Sequence, residues 1–192
     1  MKIVVIGATG TIGRAVSAAL GERHEVVAAA RRGPLRVDLA DPASIEALFD
    51  TVPDVGAVVC CAVSGSLTRL DSPSDDEFFT GLDGKLMGQV RLVRAAARRR
   101  LSGSVTLTGG RFDGPLPGST FGRLVNVGLE AFVHAAPAEV PDGLRVNVVS
   151  PGWVRETLAA VGEDGGVPAD VLARVYVDAV EGAMTGSTLT AR

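Results

Sequence analysis

The chain is poor in the side chains that carry most enzymatic chemistry. Its 192 residues include one tyrosine (Tyr176), two lysines (Lys2 and Lys85), two histidines and two cysteines; the other seventeen basic residues are arginine. Position 180 is Val180, so no tyrosine has a lysine four residues later. A metal cage needs three or four clustered ligands, and these counts point to none. Cys60 and Cys61 are adjacent, which leaves no loop for a disulfide to close. A net charge of −3 argues against a nucleic-acid protein held by phosphate contacts. The apolar run Ile3–Ile6 meets Gly7 at once, too short for a signal peptide or a membrane span. The expectation is a cytoplasmic protein with no membrane partner.

What is present is an alternation of short aliphatic runs with helical periodicities. Strands are expected over 3–6, 25–30, 35–39, 55–62, 104–108, 144–149 and 187–190. Helices are expected over 11–21, from Asp41–Pro42 through Phe49, over 78–100, 120–134 and 169–180. In the long helix Leu82, Leu86, Val90, Val93 and Ala97 recur at spacings of three and four. Segments 64–76 and 154–166 read as loops. Alternating β and α elements imply a doubly wound parallel sheet of about seven strands with helices on both faces, a Rossmann-like α/β fold in one domain over 1–192. Ligands of such sheets bind at the carboxyl ends of the strands.

The loop Gly7-Ala8-Thr9-Gly10-Thr11-Ile12-Gly13 follows the first strand and opens the first helix. In that context its glycines allow a tight turn, close approach of a pyrophosphate and close helix packing, while the helix N-terminus offers free N–H groups. The second strand ends in Ala30-Arg31-Arg32, where an acid would bind a ribose 2′-hydroxyl. A guanidinium there suits a 2′-phosphate, so NADP(H) is expected over NAD(H), beside the plainer reading of two solvated turn arginines. Asp38 and Leu39, ending the third strand, are placed to meet the adenine, with helix capping an equal alternative for the acid.

These residues resemble the short-chain dehydrogenase/reductase family along essentially the whole chain. The resemblance takes in the glycine loop, Asp38-Leu39, Cys61-Ala62 after the fourth strand, Gly103-Ser104-Val105, Leu129-Glu130-Ala131, and Arg145-Val146-Asn147-Val148-Val149-Ser150-Pro151-Gly152-Trp153-Val154. It implies cofactor contacts from Cys61, Ala62, Val63, Pro151, Gly152 and Val154. The family's chemistry uses Ser, Tyr and Lys; aligned on Leu129-Glu130, those positions fall on Gly110, Gly122 and Asn126. A family Asn on the long helix falls on Lys85. The resemblance is therefore to a divergent branch that keeps the dinucleotide site and has an atypical active site.

Lys85 is the candidate proton-transfer group, beside the plainer reading of a solvated helix lysine. Thr108 and Ser119 flank the vacated positions and are candidates to bond a ligand, beside roles as strand end and helix cap. Arg91, Arg94, Arg98, Arg99 and Arg100 end the long helix and complement its dipole. By resemblance, self-association is expected through the helices at 78–100 and 120–134. Three functions stay open: an oxidoreductase acting on a small molecule, a non-redox cyclase or isomerase reusing the pocket, and a nucleotide-sensing protein without turnover.

Overall fold

The computed structural model describes residues 1–62 and 65–191; Val63, expected at the cofactor, lies outside the described residues. The aliphatic runs form seven parallel strands in one sheet: β1 (Lys2–Ile6), β2 (Glu25–Ala30), β3 (Leu35–Arg36), β4 (Val55–Cys60), β5 (Gly103–Thr108), β6 (Leu144–Val149) and β7 (Ser187–Leu189). Their order is β3-β2-β1-β4-β5-β6-β7. The direction of winding reverses between β1 and β4, which opens a crevice at their carboxyl ends. The third strand is two residues long where five were expected, because only Leu35 and Arg36 pair, with Ala29 and Ala30.

Both faces of the sheet are covered, as the unbroken apolar strands require. On one face Val4, Ile6, Val58, Val105 and Val146 meet Ile45 and Leu48 of α2 (Pro42–Thr51), and Leu92 and Leu129 from two later helices. On the other, Ile3, Val5, Ala57 and Val59 meet Val16 and Leu20 of α1 (Thr11–Gly21) and Leu172 and Tyr176 of α7 (Ala169–Glu181). Period-two alternation thus sends Ile3 and Val5 to one core and Val4 and Ile6 to the other. Asp41 caps α2 by accepting the Ala43 N–H at 2.9 Å, with Pro42 at the first helical position.

The expected helix over 78–100 is three pieces. A single turn, α3 (Asp75–Phe78), precedes a π-helical segment, Leu82–Gly88, which runs on into α4 (Gln89–Arg98). Gly81 starts the π segment at φ 97°, a left-handed conformation that glycine adopts without strain. The wide turn rotates the core face, so Gln89, Leu92, Val93 and Ala96 are buried and Leu82 is exposed. Arg98 and Arg99 both bond Glu46 of α2, and Arg99 also takes Asp50 at 2.8 Å and stands over the Phe49 ring. Those two arginines lock α4 to α2, and their hydrogen bonds hold the Glu46 carboxyl below the usual carboxylate range.

The helix after β5 is α5 (Thr120–Ala135). Segment 154–166, expected as loop, contains α6 (Arg155–Ala159); Glu156 from this turn accepts the Ala169 N–H at 3.0 Å and ties it to the start of α7. Among the described residues no helix is long and apolar enough to cross a membrane.

Candidate functional site

The glycine loop forms a cradle that side chains would fill. Gly7 has φ +82°, and a Cβ built on it would stand 2.6 Å from the Ala62 backbone nitrogen. A Cβ on Gly13 would stand 2.0 Å from the Gly7 carbonyl oxygen. The two glycines therefore set the contact of α1 with the β1 turn and of that turn with the end of β4. Gly10 makes no such backbone clash; it is exposed, and it is the N-cap of α1 with no side chain bonded across the helix start. Its first turn holds no acid, so no side chain of the helix start compensates the leading N–H groups. A dinucleotide pyrophosphate fits this arrangement of donors and free space. Thr9 and Gly10 are exposed, Thr11 and Ile12 partly buried, and the Arg14 guanidinium stiffens the loop by donating to the Thr9 carbonyl at 2.8 Å.

Arg31 and Arg32 follow β2 in an exposed turn, and neither is ion-paired among the described residues. Asp38 is exposed, but its carboxylate turns back to accept the Ala40 N–H at 3.0 Å while its own N–H donates to Ser44 Oγ. Leu39 is buried, and Gly88 packs directly on it: a Cβ on Gly88 would lie 2.5 Å from the Leu39 carbonyl oxygen. Cys61 is buried beside Gly7, its N–H bonded to the Ile6 carbonyl at 2.8 Å. Burial pushes the Cys60 thiol up to about 12 and the Cys61 thiol well above its ordinary value, so neither is a nucleophile at neutral pH. Pro151 and Gly152 are half-buried on the opposite wall; Val154 is buried and bridges to Val167.

The positions vacated by the family's catalytic groups lie at the end of β5 and the start of α5. A Cβ on Gly110 would lie 3.1 Å from Asn126 Nδ2, and one on Gly122 would lie 3.7 Å from the Phe112 ring, an ordinary contact. Asn126 is buried, and among the described residues its Oδ1 has no hydrogen-bond partner. Phe112 packs edge-on to Trp153 and under the Arg123 guanidinium, giving the cleft an aromatic side wall.

Lys85 is half-buried on the π segment, one turn before Gln89. It pairs with no carboxylate among the described residues, and burial alone lowers its pKa from the ordinary lysine value. The other two candidates are engaged. Thr108 is fully buried; its hydroxyl donates to the Cys60 carbonyl at 2.6 Å and accepts from Tyr176 at 2.7 Å. Ser119 is buried and donates to the Leu116 carbonyl at 2.7 Å, closing the turn before α5. Tyr176, far from the vacated tyrosine position, thus reaches the same strand end from the other face of the sheet. Two features carry no local sequence signal: the Ser150 hydroxyl donates to Glu130 at 2.5 Å, and the Gln89 amide is buried against β5.

Comparison with known proteins agrees with this geometry. The model of the NAD-dependent epimerase/dehydratase family matches residues 3–112, more than half of the chain. The crystal structure of the protein lin1944 from Listeria innocua is 31% identical with a TM-score of 0.92, each chain covered completely. A small-chain dehydrogenase is 26% identical at a TM-score of 0.82, covering 99% of this chain and 95% of its own. A small-chain dehydrogenase in complex with NADPH is 24% identical at a TM-score of 0.83, with the same coverage, and shares the fold. Comparison with curated proteins finds no match. With the cradle, the strand order and the family match in agreement, this chain belongs to the NAD-dependent epimerase/dehydratase family, whose members are like the short-chain dehydrogenase/reductases.

Proposed function

We propose that the protein is an NADP(H)-dependent oxidoreductase that reduces a carbonyl or imine of a small molecule, with Lys85 handling the proton in place of the family's tyrosine. The observation that carries the reading is the acid-free N-terminus of α1 beside a strand end bearing two unpaired guanidinium groups. Arg31 and Arg32 would meet a 2′-phosphate with charge-assisted bonds. The solved NADPH complex of a protein with the same fold supports this pocket as a dinucleotide site. Bound there, the nicotinamide supplies the hydride. Gly122 leaves room for substrate beside Phe112, and the Lys85 ammonium gives its proton to the substrate oxygen or nitrogen, then recovers one from water.

Titration with NADPH and NADH tests the cofactor assignment. We expect Arg31→Ala/Arg32→Ala to weaken NADPH binding by about 10- to 100-fold, as loss of charge-assisted bonds worth roughly 1.5–3 kcal/mol implies, with little effect on NADH. Equal affinities for the two cofactors in the unaltered protein would reject the preference. Consumption of NADPH across a carbonyl and imine panel tests turnover.

A second reading, a nucleotide-sensing protein, draws on the absence of side chains at Gly110 and Gly122 and on the engaged hydroxyl of Thr108. Tight NADPH binding without turnover favours it. Activity that survives loss of nicotinamide would point instead to cyclase or isomerase chemistry. In either case the functional unit is one dinucleotide-binding domain over 1–192. Its two free buried cysteines suit a reducing compartment such as the cytoplasm.

The same reading includes self-association. Met87 on the π segment and Leu124 and Val127 on α5 are exposed, the last two at 65% and 64%. Exposed aliphatics on neighbouring helices are costly to hydrate and suit a second copy. Leu124→Glu/Val127→Glu is expected to convert a dimer to a monomer in light scattering at micromolar concentration. An unaltered protein that is already monomeric there would reject this.

A further inference from the structure

Gln89 is the first residue of α4 and has 0% exposure. A buried amide has to satisfy its hydrogen bonds inside the protein. Gln89 Oε1 accepts the Thr108 N–H at 2.8 Å, and Nε2 donates to the Thr108 carbonyl at 3.0 Å. The pairing of β4 with β5 ends at Val59 and Thr106, so the Gln89 side chain does for Thr108 what the next residue of a strand would have done. Nε2 also donates to the Lys85 carbonyl at 2.7 Å. The amide therefore ties the π segment that carries Lys85 to the end of β5.

The bonds continue past the strand. Thr108 Oγ1 has one proton, and it goes to the Cys60 carbonyl, so the Tyr176 hydroxyl must be the donor in its contact with Thr108. The connected set runs from Lys85 through Gln89 and Thr108 to Cys60 at the cofactor edge and to α7. π turns are rare, occur mostly as single turns within α-helices and are frequent at functional sites. Released from β5, the segment would relax toward α geometry. Removing one residue from the turn would swing Lys85 by roughly 100° about the helix axis, the α-helical angle per residue.

We propose that Gln89 is a positioning residue for Lys85: its amide holds the π segment against the end of β5 and so keeps the Lys85 side chain half-buried. The assignment rests on the role given to Lys85 above, but its test does not need turnover. Lys2 is the only other lysine, so dimethylation with ¹³C gives two lysine resonances and one from the N-terminus, and Lys85→Met assigns them. On its own segment Asp83 is the one acid, and it faces Arg91 of α4 at 3.9 Å; burial lowers the Lys85 pKa.

The experiment is a pH titration of the Lys85 resonance in the unaltered full chain, Gln89→Met, Gln89→Asn and Tyr176→Phe. Met has the reach of Gln without its hydrogen bonds, and Asn keeps an amide that stops one methylene short. In both Gln89 variants Lys85 is expected to titrate at the ordinary lysine value of 10.5, because it has moved into water. In Tyr176→Phe, which loses a buried bond of the same set on the far face, it should titrate below that value, as in the unaltered protein. If Gln89→Met does not fold, Gln89→Asn decides. A folded Gln89 variant whose Lys85 titrates as in the unaltered protein overturns the proposal, as does an equal change in Tyr176→Phe. Should Lys85→Met leave turnover intact while Gln89→Asn shifts the resonance, the catalytic role of Lys85 fails and the positioning role stands.

Discussion

Lys85→Met is expected to lower kcat by about 10²- to 10⁴-fold, the range for losing a positioned general acid. NADPH affinity should change little, because Arg31, Arg32 and the glycine loop, which carry the proposed 2′-phosphate and pyrophosphate contacts, lie outside the π segment. Steady-state kinetics and a binding titration on the same preparation separate the two effects. A kcat within a few-fold of the unaltered protein would assign the proton to water or to the substrate itself. The pH profile adds a second check. Burial lowers the Lys85 pKa, so the ammonium is lost in the folded protein at a pH below 10.5. Reduction needs the ammonium, so its rate should be full at lower pH and fall as pH rises through that depressed value. Oxidation in the reverse direction needs the free amine and should rise over the same range. Lys85→Arg keeps a cation that does not titrate there and should lose the limb altogether.

Gly13→Ala is the second large effect, and it acts on fold and function together. The added methyl would stand 2.0 Å from the Gly7 carbonyl oxygen and 2.9 Å from the Ala8 Cα, both backbone atoms that no rotamer change can clear. Helix α1 must lift from the β1 turn. Overpacking of this kind costs about 2–3 kcal/mol, and for a chain of this length that lowers Tm by about 5–10 °C. Displacing the helix start also moves the N–H groups of the anion cradle, so NADPH affinity should fall by about 100-fold or more. Gly10→Ala provides the contrast. Its added methyl meets only the Gly7 oxygen at 3.4 Å, and its φ of −79° suits any residue. Its Tm should hold while the methyl crowds the pyrophosphate. Thermal melts and cofactor titrations on the pair distinguish a structural glycine from a ligand-facing one. Equal Tm losses in both would show that α1 packing tolerates neither.

Much of this architecture is legible along the chain because its causes are local. Ile3–Ile6 and Val55–Cys60 are continuous aliphatic runs, and only a strand buried on both faces accommodates them. Asp41-Pro42 marks a helix start because the carboxylate and the proline ring act within one turn. The glycine loop is readable for the same reason: its tight turn, its free N–H groups and its close helix packing are all confined to seven residues.

The elements misread are those fixed by distant partners. The π segment looks like ordinary helix because Leu82 and Leu86 keep a helical spacing. Its wide turn is held by Gln89 on Thr108, nineteen residues away. The arginines closing α4 read only as complements of the helix dipole; that Arg98 and Arg99 bond Glu46, more than fifty residues earlier, is decided by packing. Thr108 looks like an available hydroxyl at a strand end until Tyr176 arrives from 68 residues downstream. Segment 154–166 looks like loop because its short helix α6 is tied by Glu156 to α7 and not by a strong pattern of its own.

By itself, then, the sequence determined a parallel α/β sheet with a tight glycine loop after β1, and it excluded a tyrosine–lysine pair by simple count. Tertiary structure alone decided which polar groups are already engaged. Thr108 and Ser119 have spent their hydroxyls, while among the described residues Lys85 meets no carboxylate and the Asn126 Oδ1 no donor. The reason is physical. Periodicity and turn chemistry act over a few residues, whereas hydrogen bonds at a sheet edge are completed by whichever helix packs there. A side chain's chemical availability depends on those partners, and only the folded chain supplies them.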